Sequence, residues 1–574
     1  MENSEIAKIL WEVSELLEFK SENPFKIRAY QKAARNIEGL PLSLEESYKS
    51  GGIKALKEIP GIGEAIAEHI EEIIKTGDFK KRKELLKEFP KSFLEMIEVQ
   101  GIGPKTAMLL LKKRGIDSIE KLEKAIKSGA LKGLVGFGEK KEQNILQGIT
   151  HKKKTIGRHL LSEAHEYADL IINQMGKIKE IDQLLAAGSL RRQQETIGDI
   201  DILATSKNPE AVMHAFVKLP QVKRILAQGP TKSSVILKNE MQADIRVVDP
   251  KCFGAAAHYF TGNKLHNIKI REMAVKLGLK ISEYGVFKND KQIAGKTEEE
   301  VFESVGLSYI PPELREGSDE FEAAKKGNLP QLINYPDIRG DLHIHSTYSD
   351  GANTISEIAE FAIKMEYEYI AITDHTQSTR VARGQTAREI IKELEHIDEL
   401  NSSYKNFKIL KGAEVDILPD GTLDYKDELL KELDVVVAAV HSRFKMKKDD
   451  MTKRICTAMK NKYVNIISHP TGRIIRRRPP YELDMEEILK TASDTGTYLE
   501  LNSQPDRLDL SDVNCRRAKE MGILIAINTD AHTKETLYFM QFGVSTARRG
   551  WLEAKNVINT NPIAKLMKLL YAKR

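Results

Sequence analysis

The sequence predicts a multidomain protein: an all-α N-terminal region, an α+β middle, and a C-terminal α/β barrel of parallel strands. Three observations carry that expectation. At 574 residues the chain exceeds what one core organises, and roughly 150 residues per domain gives about three or four units. The hydrophobic period changes between about 150 and 180, from helical stripes to short apolar runs. After residue 340 the runs YIAITDH, FKILKGAEVDI, VVVAAVHS, VNIISHP, TYLELNS and ILIAINTDAH recur between helix-length segments, as parallel strands with crossover helices do, in numbers that suggest closure.

Composition narrows the class. With 41% hydrophobic and 30% charged residues the chain is ordinary globular protein. No apolar stretch approaches the ~20 residues that cross a bilayer, and MENSEIAKILWEV lacks the basic start of a secretory signal, so a cytoplasmic location is expected. Three distant cysteines exclude a disulfide framework or zinc ribbon, so any metal must be held by His and carboxylate. A net charge of +5 permits a nucleic-acid partner without requiring one.

The helical region, 1 to about 150, contains PGIGEAIAEHI, QGIGPKTAMLL and the looser LVGFGEKKEQNIL. Each is a Gly-hydrophobic-Gly turn leading into a helix. Gly61 and Gly63, Gly101 and Gly103, and Gly136 and Gly138 let backbone approach a ligand closely, and the next helix offers free amides at its positive end, with Lys105 beside the second turn. One such turn is usually only a tight connection; three point to helix-hairpin-helix units that grip DNA phosphates without reading bases.

In AAGSLRRQQETIGDIDILAT, period-two alternation puts Asp199 and Asp201 on one strand face and Ile200 and Ile202 on the other. MQADIRVVD offers a third acid, Asp244, on another strand. Three hard oxygen donors suit two Mg2+ or Mn2+ ions for in-line phosphoryl transfer. A lone DxD is weak evidence, but Gly188 and Ser189 with Arg191 and Arg192 upstream supply donors suited to a triphosphate.

The strand DLHIH sends His343 and His345 to one face. Asp350 follows, and later runs end in His375, Glu414, His441, His469, Asp530 and His532. Ligands at the carboxyl ends of parallel strands converge on one barrel mouth. Nine groups are too many for one zinc and suit two or three ions, Zn2+ and/or Mn2+, that direct water against a phosphoester. GRIIRRRPP after His469 is a candidate contact to DNA phosphates.

GS-x-RR, GD-x-D, D-x-R and YFTGN, in that order, resemble the nucleotidyltransferase palm and thumb of family X DNA polymerases over residues 1 to about 310; HIHSTYSDG, TDH, HP and DAH resemble the PHP domain, a distorted TIM-like barrel, over 340 to 574. The resemblance implies a bacterial-type polymerase that fills gaps in base-excision-type repair, with a metal-dependent 3'-5' exonuclease or 3' end-processing activity and a capacity to incise abasic sites. It makes Asp199, Asp201 and Asp244 the catalytic, metal-binding triad, with Asp244 activating the primer 3' hydroxyl. Ser189 and Arg192, beside Gly188, contact the nucleotide phosphates; Tyr259, Phe260 and Gly262 shape the sugar pocket; Asn267 and Arg271 lie near the nascent pair and template. The family's Schiff-base lysine is replaced by His69, and imidazole cannot form that imine, so lyase activity is not expected.

The expected divisions are a helix-hairpin-helix domain at 1–82, a second helical DNA-binding part at 83–150, a palm at 151–250, a thumb at 251–312, a Pro- and charge-rich linker at 313–339, and the PHP domain at 340–574. Gapped or primed DNA and dNTP are the expected partners of a monomer. The alternatives are a DNA-binding repair scaffold whose C-terminal cluster is structural, and a small-molecule phosphatase tethered to DNA.

Overall fold

A computed structural model describes residues 3–574 apart from 21, 39–43, 60, 90, 98, 100, 101, 103, 132, 133, 135, 136, 139, 140, 144, 147, 148 and 150–156. The described residues before 150 are helices and turns, starting with Asn3–Phe19 and Pro24–Glu38. Ile6, Leu10, Val13 and Leu17 recur at helical spacing and share one core with Ile66, Ile70 and Leu110. All three hairpins close on the same bond. The amide of the middle apolar residue donates to a carbonyl three residues back, Ile62 to Ile59 at 3.1 Å, Ile102 to Val99 at 3.0 Å and Phe137 to Leu134 at 2.9 Å.

A two-strand ladder, β1 (His159–Leu160) with β3 (Thr196–Ile197), leads into a five-stranded sheet. Its strands are β2 (Ile181–Ala186), β4 (Asp199–Ser206), β5 (Val222–Gln228), β6 (Lys232–Leu237) and β7 (Gln242–Val248), in the order β2-β4-β7-β6-β5. Only β4 and β7 run parallel, and their register sets Asp201 opposite Asp244. Ile200 and Ile202 enter the core with Ala243 and Ile245, so the carboxylates take the other face, as alternation requires. Helices Phe253–Thr261 and Lys264–Lys276 and a small antiparallel sheet, β8 (Lys280–Ser282), β9 (Gly285–Lys288) and β10 (Lys291–Ala294), surround a second core around Ile270 and Phe302.

The segment 313–339, expected as a linker, is folded. Phe321 and Leu332 join the core around Phe302, while Ile333 and Ile338 join the barrel core. Two of its charges, Arg315 and Glu320, are buried, while Asp319, Glu322, Lys325 and Lys326 face water. Arg315 is fully buried, donates to Glu298 Oε1 at 2.6 Å, and lies 5.1 Å from the centre of the Phe302 ring.

Seven parallel strands follow: β11 (Gly340–Ile344), β12 (Tyr369–Ile372), β13 (Lys408–Asp416), β14 (Val435–Ala439), β15 (Ile466–Ile467), β16 (Tyr498–Asn502) and β17 (Ile525–Asn528), paired in sequence order. The circle closes where the His345 amide donates to Ala531 O at 2.8 Å beside a parallel bridge between Ile344 and Ala531. Gly340 opens the first strand because a β-carbon there would stand 2.1 Å from Tyr369 O. Leu508 and Phe542 of the barrel are buried in the core under the five-stranded sheet, with Ile475 and Phe539 packed against it. No helix among the described residues is long and apolar enough to cross a membrane.

Arg315→Ala leaves Glu298 buried with Arg191 as its remaining cation, so stability is expected to fall by about 3–5 kcal/mol, read from urea denaturation followed by tryptophan fluorescence.

Candidate functional site

The first site forms on the polar face of β4 and β7. Gly188, at φ +65°, is required there, since a β-carbon would sit 2.5 Å from Asp201 Oδ2. Burial, then Asp199 and Asp244, push the Asp201 carboxyl up to about 7; burial and Asp244 also raise that of Asp199. Like charges held together in a partly dry cleft are what a divalent cation relieves, so the residues fit one. The three carboxylates are not drawn into a closed cluster of ligand atoms here. Instead Asp244 accepts from Gln242 Nε2 at 2.9 Å and lies 3.1 Å from Lys232 Nζ.

Around them, Ser189 stands on the short helix Gly188–Arg191. Arg192 Nη1 donates to Thr261 O and lies 3.3 Å from where a Gly262 β-carbon would be, while Arg192 Nε is buried with no hydrogen-bond partner. Tyr259 and Phe260 meet edge to face with ring centres 5.1 Å apart, and the Arg246 guanidinium lies 4.6 Å from the Phe260 ring centre. Asn267 Nδ2 donates to Tyr259 O at 2.7 Å, and Arg271 Nε to Asn267 O at 3.0 Å. The GSLRR and YFTGN segments thus meet through Arg192, Thr261 and Gly262.

The second site lies at the carboxyl ends of β11 to β17. Glu414 is its centre. His375 Nδ1 is 2.9 Å from Oε2, with His343 Nε2 at 3.5 Å and His345 Nε2 at 3.6 Å; His469 Nε2 is 3.1 Å and His441 Nε2 3.3 Å from Oε1. Asp530 Oδ1 is 3.1 Å from His345 Nε2, and Asp350 Oδ1 is 3.3 Å from His532 Nε2. Three overlapping sets bring one ligand atom per residue within 4.8 Å: His345, Asp350, His375 and His532; His343, His345 and Asp530; His375, Glu414 and His441. Burial would raise the Glu414 carboxyl, but His441, His343 and His375 hold it well below the usual range; burial and the neighbouring His532 and His375 push the His345 imidazole down to about 3. His345 Nδ1, His469 Nδ1 and Glu414 Oε2 are buried outside any hydrogen bond. Lone pairs left open among such donors fit resident cations.

Two residues of this centre, Glu500 and Arg507, escaped the sequence reading, whereas Asp374 and Asp416, read from the sequence as local caps or partners, pair locally. Glu500 on β16 takes His343 Nδ1 at 2.7 Å, Ser468 Oγ at 2.9 Å and the His469 amide at 2.8 Å, fixing two ligands from behind. Its position in TYLELNS, alternating with buried leucines, was the available signal. Asp416 lies 3.5 Å from His441 Nδ1 in the same role. Asp374 holds the loop after β11, accepting from Ser346 Oγ at 2.5 Å and from Ser349 Oγ. Arg507 Nε stands 3.7 Å from Asp530 and lines the mouth, a cleft of 1680 Å³ that also includes Arg476 and Arg477. In GRIIRRRPP, Arg473 reaches Glu195 Oε2 at 2.8 Å across the seam between units, while the Arg478 guanidinium lies 4.3 Å from the Phe444 ring centre within the barrel.

At the first hairpin Gly61 is left-handed, φ +80°, and Gly63 caps the helix Glu64–Thr76 without a side-chain bond, leaving first-turn amides open to an anion. Gly138 is exposed in the third hairpin. Gly101, Gly103, Gly136 and the Lys105 side chain lie outside the described residues. His69 Nδ1 is 3.1 Å from Tyr30 Oη, and its ring centre is 4.6 Å from that of Phe79.

Comparison with known families gives a helix-hairpin-helix domain at residues 1–79, a SAM-like helix-hairpin-helix tandem at 93–150, a DNA polymerase beta palm at 160–264, a DNA polymerase beta thumb at 256–316 and a PHP domain at 341–504. The chain is 40% identical over 567 residues, 98% of both proteins, to the DNA polymerase/3'-5' exonuclease PolX of Bacillus subtilis (strain 168). It is 31% identical over 245 residues to a probable phosphatase of Thermoanaerobacter sp. (strain X514), covering 41% of this chain and 95% of that one. It is 24% identical over 326 residues to DNA polymerase lambda of Arabidopsis thaliana, half of this chain and 57% of that one.

Because the Asp201 carboxyl titrates near 7, the metal-free folded chain holds a proton that the unfolded chain, titrating near 4, has lost. Stability is therefore full below about pH 4 and is lost as pH rises through 7. Asp201→Asn removes the penalty: in chelator at pH 8 its thermal midpoint is expected to exceed wild type by roughly 2–8 °C, and the gap to close at pH 4.

Proposed function

The chain belongs to the bacterial-type family X DNA polymerases that carry a C-terminal PHP domain, and from that premise we propose how its residues divide two phosphoryl chemistries. It is a gap-filling repair polymerase whose PHP domain carries a metal-ligand cluster suited to a phosphoesterase. Asp199, Asp201 and Asp244 hold Mg2+ or Mn2+, the cations that all-oxygen sites prefer. Asp244 takes the proton of the primer 3' hydroxyl; Gly188, Ser189 and Arg192 bind the incoming triphosphate, whose oxygens give the buried Arg192 Nε its partner. Tyr259, Phe260 and Gly262 bound the sugar, and Asn267 and Arg271 face the nascent pair and template. Gly61, Gly63, Gly101, Gly103, Lys105, Gly136 and Gly138 grip DNA phosphates through the hairpins. The units divide at 82, 150, 250, 312 and 339. His69 leaves the first hairpin without the imine-forming amine, so lyase activity is absent.

In the barrel, His343, His345, Asp350, His375, Glu414, His441, His469, Asp530 and His532 hold two or three Zn2+ and/or Mn2+ ions. When bound, these supply positive charge to a phosphodiester and acidify the attacking group. Glu500 and Asp416 fix the rings behind them, and Arg507 faces the mouth. The substrate is the 3' end of a DNA strand, with abasic DNA as a further one; gapped or primed DNA and dNTP bind one monomer, in the cytoplasm. The observation that carries the hydrolytic half is Glu414 ringed by five imidazoles with Oε2 free of hydrogen bonds. A DNA-binding scaffold would gain nothing from so much buried, unsatisfied basicity. The name of the Bacillus subtilis relative supports the exonuclease reading.

Incubation of 5'-labelled primer on gapped DNA separates the sites. Asp199→Ala is expected to lower extension by about 10³-fold while 3' shortening continues, and His343→Ala to do the reverse, read on sequencing gels. Loss of both activities in either variant contradicts the division. Chelation of the native enzyme should stop both, and Mn2+ should restore both.

A further inference from the structure

One cation of the barrel reaches the nucleotide cleft. Arg549 ends the helix Met540–Arg549, and its side chain is only 9% exposed. Nη2 donates to Asp512 Oδ2 at 2.6 Å within the barrel unit, while Nη1 donates to the backbone carbonyl of Arg192 at 3.0 Å and to Glu316 Oε1 at 2.9 Å. Glu316 in turn accepts from both walls of the nucleotide cleft: Gln194 Nε2 at 2.7 Å from the GSLRR side, and Asn263 Nδ2 at 2.9 Å from the YFTGN side.

We propose that Arg549 is a positioning residue for the polymerase reaction, by which the barrel holds the two walls of the triphosphate cleft at their working separation. The planar guanidinium suits the task, since it serves a carboxylate, a carbonyl and its own anchor at fixed angles. The held segment also needs bracing. Gln193, next to Arg192, has φ +54°, a left-handed backbone that a non-glycine residue adopts at a cost, and its Oε1 lies 2.9 Å from His165 Nε2. Without Arg549, the Arg192 carbonyl loses its side-chain donor and Glu316 its guanidinium partner. The loop carrying Ser189 and Arg192 then relaxes. Arg549 touches no substrate, so the deficit falls on nucleotide binding before it reaches the chemical step.

Single-nucleotide gap filling by full-length protein tests this. Arg549→Ala is expected to raise KM for dNTP about 10-fold with kcat changed less than about 3-fold, and Arg549→Lys to recover part of the loss. Glu316→Gln should shift KM in the same direction, and the double variant should be no worse than the poorer single one. The thermal midpoint of Arg549→Ala is expected to fall, because Asp512 and Glu316 lose their guanidinium, so the kinetics are read at a temperature where every variant is fully folded. An unchanged KM in Arg549→Ala overturns the proposal, as do additive losses in the double variant, or a fall in extension that merely follows a lowered midpoint.

Discussion

The seam between sheet and barrel governs the rest of the molecule. Leu508 and Phe542 leave the barrel and are buried in the core beneath β4 and β7, with exposures of 0% and 5%. Around that apolar contact lie paired charges: Arg473 with Glu195, Arg548 with Glu313 and Arg549 with Glu316. Apolar burial gives association strength, and the half-buried charge pairs fix its register. Domains in one chain usually move unless their interface is apolar, and this one is built like an interior.

The centres solve the problem of concentrated negative charge in opposite ways. On the sheet face, Asp199, Asp201 and Asp244 stand together with Lys232, Arg158 and Arg246 as nearby cations, and the cost shows as the raised Asp199 and Asp201 carboxyls. In the barrel, each carboxylate is already surrounded by imidazoles, and Glu500 holds two of the ligands from behind. Ligands locked by their neighbours make a preformed centre, rigid before substrate binds.

Much of this was legible because both sites sit on strands whose period is two. Asp199 with Asp201, and His343 with His345, alternate with buried isoleucine, so the sequence betrays face and chemistry together. The six apolar runs and DLHIH all became barrel strands. What stayed hidden lacks such a pattern. Strand β5 reads VKRILAQ and is mostly exposed, so neither burial nor alternation marks it. Glu500 sits among leucines as any strand residue would, and Arg507 and Arg549 are single cations whose partners lie far away in sequence. Pairing of that kind has no period to read.

The segment 313–339 illustrates the same limit with more consequence. Its prolines and charges look solvated, yet Arg315 and Glu320 are fully buried, Arg315 on Glu298 and Glu320 beside His266 at 3.0 Å. Glu298 also receives Arg191 Nη2 at 2.5 Å, so one strap of residues, 298 to 316, contacts the nucleotide cleft twice from behind: Glu298 through Arg191, and Glu316 through Gln194 and Asn263. The first contact is anchored on Arg315, the second on Arg549 of the barrel. Buried carboxylates with two cationic or amide partners on different elements resist displacement, because breaking either side strands a charge. Arg315 and Glu316, in the connection between the sheet and the barrel, thus tie the GSLRR and YFTGN segments to Glu298 on one side and to Arg549 of the barrel on the other.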